Sequence, residues 1–403
     1  MPRVHNANDS LCKVRRCVGS SLLGAGHLLL CPPSPSHINV YLAVHLYLCF
    51  ITVMSKYKSL EGGELYTVGW IAALAKELTA ALAMLDERHG TPNGFKKPFT
   101  DSNSYHWGRI GQHNIVLVSL AAGMYGTTSA ATTAIHMLSS FPSIKVGLMV
   151  GIGAGIARPK QKRDIRLGDI AVSLPHGQSG GVLQYDLGKI GVSEEQGHTT
   201  HIFKRVGFLN SPPEALLKAL TSLRAHVRLQ GSKVSSFLEE TLERYPQMAE
   251  NEPDEPGYIY QGHENDKFFE ASYIHKGTAG CDDCDPTRMV TRDPRNNPSV
   301  PRVHYGVIAS GNKLVKDAVE RDLILRESGE DCICLEMEAA GLMNSFPCLV
   351  VRGICDYADS HKNDEWQEYA AATAAAYAKE FLEFVDTQDL AQTTRAIDIL
   401  QNS

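Results

Sequence analysis

The sequence predicts an α/β fold: a single domain with a central, mostly parallel mixed sheet flanked by helices, and with a helical and loop insertion. Short, almost continuously apolar segments of strand length alternate with segments whose apolar residues recur at helical spacing. Such strands are typical of a sheet that is covered on both faces. The chain of 403 residues, 43% hydrophobic and 21% charged, is large enough for a sizeable core.

The elements of the sheet and of its covering helices are expected on both sides of a long interval. The first part predicts strand 65–74, helix 75–87, strand 114–121, helix 127–141, strand 146–155 and strand 169–175. The second part predicts strands 304–311, 332–337 and 348–355 and a closing helix over 364–385, whose first turn is acidic. In such sheets ligands bind beyond the carboxyl ends of the strands, so residues there are the first candidates for a site.

The interval 191–303 is interpreted as an insertion into this domain. It predicts helices over 211–229 and 234–245, the first with Ser and two prolines at its start, followed by a long polar loop. Loops of that length are usually functional or partly disordered. The domain itself is placed at residues 61–388, with 389–403 as a C-terminal tail.

The first 60 residues differ in composition and are predicted to be disordered or a mis-called extension, with the ordered protein beginning near Met54. Their apolar run over 40–53 has 14 residues, which is short for a bilayer span; a signal anchor is the alternative. The net charge of −6 and the absence of a basic stripe argue against nucleic acid as a partner. Ten irregularly spaced cysteines favour a reducing, cytoplasmic location without membrane contact.

Two motifs invite cofactor or metal sites. GIGAGIARP (151–159) lacks the third small residue of a dinucleotide fingerprint, since Ile156 stands there, and a loop follows it; this disfavours an oxidoreductase. The glycines then mark either a tight turn or a close approach of the backbone to a ligand. CDDC (281–284) has metal-ligand spacing and His275 nearby, but no second pair, so a loop with free thiols and no metal is favoured.

Carboxylates at the ends of the predicted strands are the sharpest signal. Glu77 opens the helix after the first strand, Glu336 and Glu338 follow another, and Asp356 ends the last. Any one of them is compatible with an ordinary surface or helix-terminus position, but four at junctions of one sheet indicate a site. Because Glu336 and Glu338 alternate, at most one of them faces that site if the strand continues past them.

Seven blocks of the sequence together resemble the nucleoside phosphorylase family, which includes purine nucleoside phosphorylases, uridine phosphorylases and methylthioadenosine/S-adenosylhomocysteine nucleosidases, and especially its fungal branch. The blocks are YTVGWIAALAKEL, VSLAAGMYGTTSAA, MVGIGAGIA, RLGDIAVS, GVIASGN, LEMEAAGLM and VVRGICDYADS. The resemblance covers residues 66–190 and 301–385. It implies an enzyme that cleaves the N-ribosidic bond of purine nucleosides, forms a homo-oligomer and needs no cofactor, with phosphate as a possible co-substrate.

The resemblance also implies roles for single residues. Asp356 resembles the acid that protonates the leaving purine, Glu338 the carboxylate that holds the ribose hydroxyls, and Glu77 the residue that activates water in the hydrolases. Met337 resembles the methionine under the sugar, and Leu314 and Val315 lie where the purine stacks. The remaining residues expected to contact substrate are Glu336, Gly123, Gly151, Gly153 and Gly155.

Two questions stay open at this point. No arginine precedes the glycine-rich strand end, where phosphorolytic relatives grip phosphate; this favours hydrolysis, although Arg158 could reach back. The second question is whether the domain turns substrate over at all. Fungal relatives fused to signalling modules suggest a nucleoside-sensing or assembly module as the alternative to an enzyme, whereas retention of Asp356 favours catalysis.

Overall fold

The computed structural model describes residues 57–195, 198–252, 255–277, 280–329 and 331–402. These residues belong to one compact unit, Tyr57–Ser403. The expectations for the N-terminal extension and its apolar run concern residues 1–56 and lie outside the described ranges. Within those ranges, every helix is too short or too polar to cross a membrane.

Twelve strands and eight α-helices make up the described part of the chain. The strands are β1 Val68–Ala72, β2 Glu87–His89, β3 Tyr105–Ile110, β4 His113–Ser119, β5 Val146–Gly155, β6 Ile170–Ser173, β7 Val182–Gln184, β8 Gly188–Glu195, β9 His198–Arg205, β10 Val303–Ser310, β11 Cys332–Glu336 and β12 Cys348–Asp356. The helices are α1 Ala75–Ala83, α2 Thr127–Ser140, α3 Glu214–Gln230, α4 Val234–Arg244, α5 Ala318–Ser328, α6 Gln367–Leu382, α7 Thr387–Gln392 and α8 Ala396–Gln401.

The central sheet is mixed, in the order β11-β10-β6-β12-β5-β1-β4-β3-β2, and most of its pairings are parallel. Alternate residues of β12 enter two different cores, Leu349 and Val351 on one face and Cys348 and Val350 on the other. This arrangement explains why the strands read as continuous apolar runs. All seven predicted strands are present, as β1, β4, β5, β6, β10, β11 and β12.

In one respect the architecture differs from the expectation, because part of the sheet closes on itself. β11 pairs in parallel with β10 and also, antiparallel, with the end of β5, so that β11, β10, β6, β12 and β5 form a ring. Closure requires close contact at Gly153, where a Cβ atom would stand 2.7 Å from the Cys334 sulfur. The sheet is therefore partly a closed barrel, and the missing side chain at Gly153 is one reason that it closes.

The insertion covers the closing helix. Almost every residue of α6 from Glu368 to Leu382 is buried, although one face of a helix at the edge of a domain is normally solvated. The buried Glu380 carboxylate accepts hydrogen bonds from the Ser232 hydroxyl (2.6 Å) and the Lys233 N–H (2.8 Å), at the start of α4. The expected helical pair of the insertion, α3 and α4, therefore packs onto α6, while the hairpin β8–β9 was not predicted.

The C-terminal residues expected as a tail continue the fold. α7 begins at Thr387, capped by the Asp386 side chain, and α8 follows. The Ala396 N–H donates to the Ile144 carbonyl at 2.9 Å, and Ala396 is buried in the core that also contains Phe141. Residues up to Gln401 thus pack on the body of the domain.

Candidate active site

A cavity of about 320 Å³ opens at the carboxyl ends of β1, β5, β11 and β12. Its walls include the three predicted catalytic carboxylates, which come from distant parts of the sequence: Glu77, Glu338 and Asp356. Five more predicted contact residues line the same cavity: Glu336, Met337, Leu314, Val315 and Gly153. The structure thus places together residues that the sequence spreads over almost 300 positions, in a volume of the size that small-molecule sites have.

Glu77 is the third residue of α1 and is 3% exposed. Its carboxylate accepts N–H groups from Ala73 (2.5 Å) and Leu74 (3.0 Å) on one oxygen and from Ile152 (2.8 Å) on the other. The first two bonds satisfy free donors at the helix start, as a carboxylate at this position often does. Burial raises the pKa of Glu77, against the opposing effects of Arg352 and the three N–H donors.

Glu336 and Glu338 both line the cavity. The expectation that at most one would face the site applied only if the strand continued past them, and it does not. The reason is that β11 ends at Glu336, and the chain then turns into a short 3-10 helix at Ala339–Gly341. Glu336 accepts the N–H groups of Glu338 and Ala339, each at 3.0 Å, and so stabilises this turn. Glu338 accepts the Gly126 N–H at 3.3 Å with the carboxylate oxygen that does not contact Arg352.

Arg352, on β12, holds the three glutamates together and was not singled out from the sequence. Its guanidinium donates to Glu336 and to Glu338 (3.3 Å), and it lies 4.0 Å from the nearest Glu77 oxygen. Burial acts to lower the Arg352 pKa, but the three carboxylates outweigh burial and raise it. For Glu338 the effect of burial has the opposite sign: it raises the pKa of the carboxyl to about 7, and the nearby Arg352 cancels only part of that increase.

The available signal for this arginine was its context. Arg352 stands in the apolar run CLVVRGIC, and arginine is almost never fully buried unless it is paired. It is 1% exposed and does not line the cavity. Arg352 is therefore a positioning residue behind the carboxylates.

Asp356 reaches the cavity through an irregularity in β12. The pairing with β5 skips Cys355, and such a bulge re-aims the side chains that follow it, so that Cys355 and Asp356 both line the cavity. One Asp356 oxygen accepts the Ala358 N–H at 2.8 Å, and the other accepts from the Lys362 ammonium. Ala358 has φ of +51°, a left-handed conformation that is uncommon outside glycine and concentrates at functional sites.

Lys362 is the second charged residue that the sequence analysis missed. It is among the residues lining the cavity, and its ammonium pairs with Asp356. Burial acts to lower the Lys362 pKa, but Cys355 and Asp356 more than compensate and raise it. The free protein thus holds Asp356 beside a cation.

Of the glycines predicted to contact substrate, only Gly153 lines the cavity. At Gly151 a Cβ atom would stand 2.3 Å from a Glu77 oxygen and 2.7 Å from an Arg352 nitrogen, so its missing side chain makes room for the protein's own charged groups. Gly155 packs against Ile354 and Ile165. Gly123 is exposed in the loop before α2, with a φ of +77°. These three glycines shape the backbone and do not line the cavity.

Arg158 does not reach back to the site. Its guanidinium pairs with Asp331 at 2.8 Å, an exposed carboxylate just before β11. The insertion, by contrast, does reach the site: together with Asp356 and Lys362 it lines an adjoining polar cavity of about 330 Å³, to which Gln261, Asn265 and Lys267 contribute.

No protein-family model matches the chain. A fungal protein of Hyaloscypha variabilis, described as a nucleotide-binding leucine-rich repeat (NLR)-like protein, is 45% identical over 327 residues, which are 81% of this chain and 30% of that protein. The chain thus spans less than a third of that relative. The ATP nucleosidase Cap17 of Escherichia coli is 33% identical over 86 residues, 20% of this chain and 17% of that protein.

Solved structures that are similar to this chain include two bacterial nucleosidases. The futalosine hydrolase of Helicobacter pylori is 16% identical with a TM-score of 0.45, over 79% of this chain and 98% of the hydrolase. The 5′-methylthioadenosine/S-adenosylhomocysteine nucleosidase of Neisseria meningitidis is 16% identical with a TM-score of 0.47, over 79% and 98%.

Proposed function

We propose that the protein hydrolyses the N-ribosidic bond of a purine nucleoside or nucleotide. The observation that carries this proposal is the convergence of Glu77, Glu338 and Asp356, each 5% exposed or less, in one cavity. Cleaving this bond produces a ribosyl cation and a purine anion, and it requires a nucleophile. Carboxylates meet all three needs, since they stabilise a cation, deliver a proton and activate water.

In this proposal each carboxylate has one task. Asp356 protonates the leaving purine, and the adjacent Lys362 ammonium is the nearest described proton donor to it. Glu338 lies by the ribose hydroxyls and its negative charge stabilises the developing cation. Glu77, fixed by three backbone N–H groups, orients and deprotonates the attacking water. The resemblance of the sequence blocks to the nucleoside phosphorylase family supports the same assignment.

The positions of the arginines favour hydrolysis over phosphorolysis. Gripping phosphate typically takes an arginine whose guanidinium is free to bind two oxygens. Arg352 already contacts two glutamates and is 1% exposed, and no arginine is among the described residues lining the cavity. Phosphate therefore has no obvious arginine partner beside Glu77.

Two lysines at the cavity suit phosphate groups that belong to the substrate itself. Lys313 and Lys316 line the cavity beside Leu314 and Val315, and both are exposed. These lysines suit a negatively charged substituent, and one relative is named an ATP nucleosidase. We therefore include nucleotides, ATP among them, in the proposed substrate class.

The test is to incubate the purified chain with adenosine, guanosine, inosine, 5′-methylthioadenosine and ATP, each with and without inorganic phosphate. Free base is followed by chromatography. We expect base release without phosphate, and its loss in Glu77→Gln. Release only with phosphate would refute hydrolysis. A double Lys313→Met/Lys316→Met variant should lose activity on ATP while keeping it on adenosine, if the lysines bind the substrate phosphates.

A second candidate is a nucleoside-sensing module with little turnover. It is favoured by the contacts of Asp356, whose two carboxylate oxygens already accept from the Ala358 N–H and the Lys362 ammonium, and by the NLR-like relative. Asp356→Asn separates the two functions. Loss of base release with retained nucleoside binding supports the enzyme, whereas slow wild-type turnover that the substitution leaves unchanged supports the sensor.

A further inference from the structure

Three metal-ligating side chains meet inside the insertion. The side chains of His275, Cys281 and Cys284 each offer a ligand atom, and these atoms all lie within 4.8 Å of one another. Both cysteines are buried, 9% and 7% exposed, and neither is in a disulfide. Around a tetrahedral zinc ion, neighbouring sulfur and nitrogen ligands stand about 3.3–3.8 Å apart. A small contraction of the observed cluster therefore brings it to zinc geometry.

A fourth potential ligand, His361, lies beside this cluster of three. His361 is 7% exposed, and neither of its ring nitrogens has a hydrogen-bond partner among the described residues. A buried imidazole without partners is unfavourable and calls for an explanation. Its ring centroid lies 5.4 Å from that of His275, and it is stacked on Phe269 at 4.1 Å. A metal ion between the two histidines would use the free lone pair of His361.

The surroundings of the two histidines also suit metal ligands. A metal-bound imidazole usually donates its other N–H to a carbonyl or a carboxylate, which fixes the ring. His275 Nε2 bonds to the Gly280 carbonyl, and His361 Nδ1 lies 3.6 Å from an Asp359 carboxylate oxygen. In each ring one nitrogen faces such an acceptor, and the second remains for the metal.

We propose that His275, Cys281, Cys284 and His361 bind one zinc ion. Two thiolates and two imidazoles are the ligand set that selects zinc in a closed, structural site. The first three ligands belong to the insertion, while His361 follows Asp356 by five positions and precedes Lys362 directly. The backbone N–H of His275 also donates to the Ser360 hydroxyl at 2.9 Å. The zinc ion would thus fasten the insertion to the loop that carries Asp356 and Lys362.

The test is the metal content of the full chain, purified under reducing conditions after removal of any affinity tag and dialysed against a chelator. Elemental analysis should find one zinc ion per chain. Cys281→Ser and Cys284→Ser should each lower the zinc content at least tenfold. Asp283→Asn is the matched control, since it changes the charge of the same loop without removing a ligand, and it should keep the zinc.

His361→Phe tests the fourth ligand while preserving the stacking on Phe269. In competition with a chromogenic chelator it should release zinc at 10–100-fold lower chelator concentration than the wild type. Should the cysteine variants fail to fold, Co²⁺ can replace zinc in the wild-type chain, where thiolate-to-cobalt absorption bands report two bound sulfurs. Less than a tenth of a zinc ion per chain with no such bands, or zinc that is unchanged in both cysteine variants, would overturn the proposal. A Cys281–Cys284 disulfide in the reduced preparation would overturn it as well.

Hydrogen exchange tests whether the zinc ion holds the insertion to the loop after Asp356. Zinc removal should increase hydrogen exchange in residues 357–363 and 280–289 and leave β3 and β4, on the far edge of the sheet, unchanged. If zinc removal changes hydrogen exchange by the same amount in all these segments, the ion does not hold the loop. Neither result depends on whether the cavity hydrolyses nucleosides, so the two proposals fail separately.

Discussion

Replacing Arg352 by methionine should destabilise the protein strongly, because it leaves three glutamates in a buried cluster without their common cation. Arg352 is 1% exposed, and Glu336, Glu338 and Glu77 are between 3% and 6% exposed. Removing one partner of such a buried ionic group costs about 3–5 kcal/mol. Unfolding entropy is roughly 2 cal/mol/K per residue, or about 0.7 kcal/mol/K for the 57–403 unit, so Tm should fall by about 4–7 °C.

The assay is thermal unfolding of the variant beside a matched control and a rescue. Arg158→Met removes an arginine from an exposed pair with Asp331 and should cost under about 1 kcal/mol. Glu336→Gln in the Arg352→Met background removes one uncompensated charge and should recover about 1–3 kcal/mol. The reasoning is refuted if Arg352→Met is no more harmful than Arg158→Met, or if the double variant is no more stable than Arg352→Met alone.

Three further predictions concern the same cavity. Glu338→Gln should gain stability relative to wild type as pH rises from about 4.5 to above 7. Burial raises the folded-state pKa of Glu338 from 4.5 to about 7, so its ionisation disfavours folding across that window, by up to about 3 kcal/mol; equal differences at pH 5 and pH 8 in denaturant melts would contradict this. Asp356→Asn should lower kcat by about 10²–10⁴-fold in the base-release assay with KM little changed, and a KM effect alone would argue against an acid. Gly151→Ala should displace Glu77 and lower kcat at least tenfold, whereas Gly191→Ala, whose Cβ has its nearest neighbour at 4.0 Å, should not; equal activities would mean that Glu77 tolerates the methyl group.

The central strands could be predicted from the sequence because each is buried on both faces and has to be apolar throughout. The short edge strand β2 and its neighbour β3 show little alternation of apolar and polar residues and carry charges such as Glu87 and Arg109, so their sequences did not indicate strands. Closure of the sheet between β11 and β5 was beyond prediction for another reason. It depends on two strands meeting at Gly153, and pairing between segments some 180 residues apart leaves no local pattern.

In the candidate site, too, some residues could be predicted from the sequence and others could not. Glu77, Glu338 and Asp356 were predictable because they stand where strands end, and a strand end is visible in the sequence. Arg352 and Lys362 were missed because their importance comes from their partners, and partners are known only after folding. The glycines were predicted to contact substrate because a backbone without side chains lets a ligand approach closely. At Gly151, however, the space is filled by the side chains of Glu77 and Arg352.

The loop after Asp356 connects the cavity to the insertion through a buried polar cluster. Tyr357 donates to the Asp266 carboxylate and accepts from Arg292 at 2.8 Å, and Arg292 also contacts an Asp266 oxygen at 3.0 Å. Tyr357 and Asp266 are 3% and 6% exposed, so their polar groups depend on one another. Asp356 directly precedes Tyr357, so the contacts of Tyr357 with the insertion help to fix the backbone that positions the Asp356 carboxylate. The insertion is therefore bonded to the residue that adjoins the proposed acid.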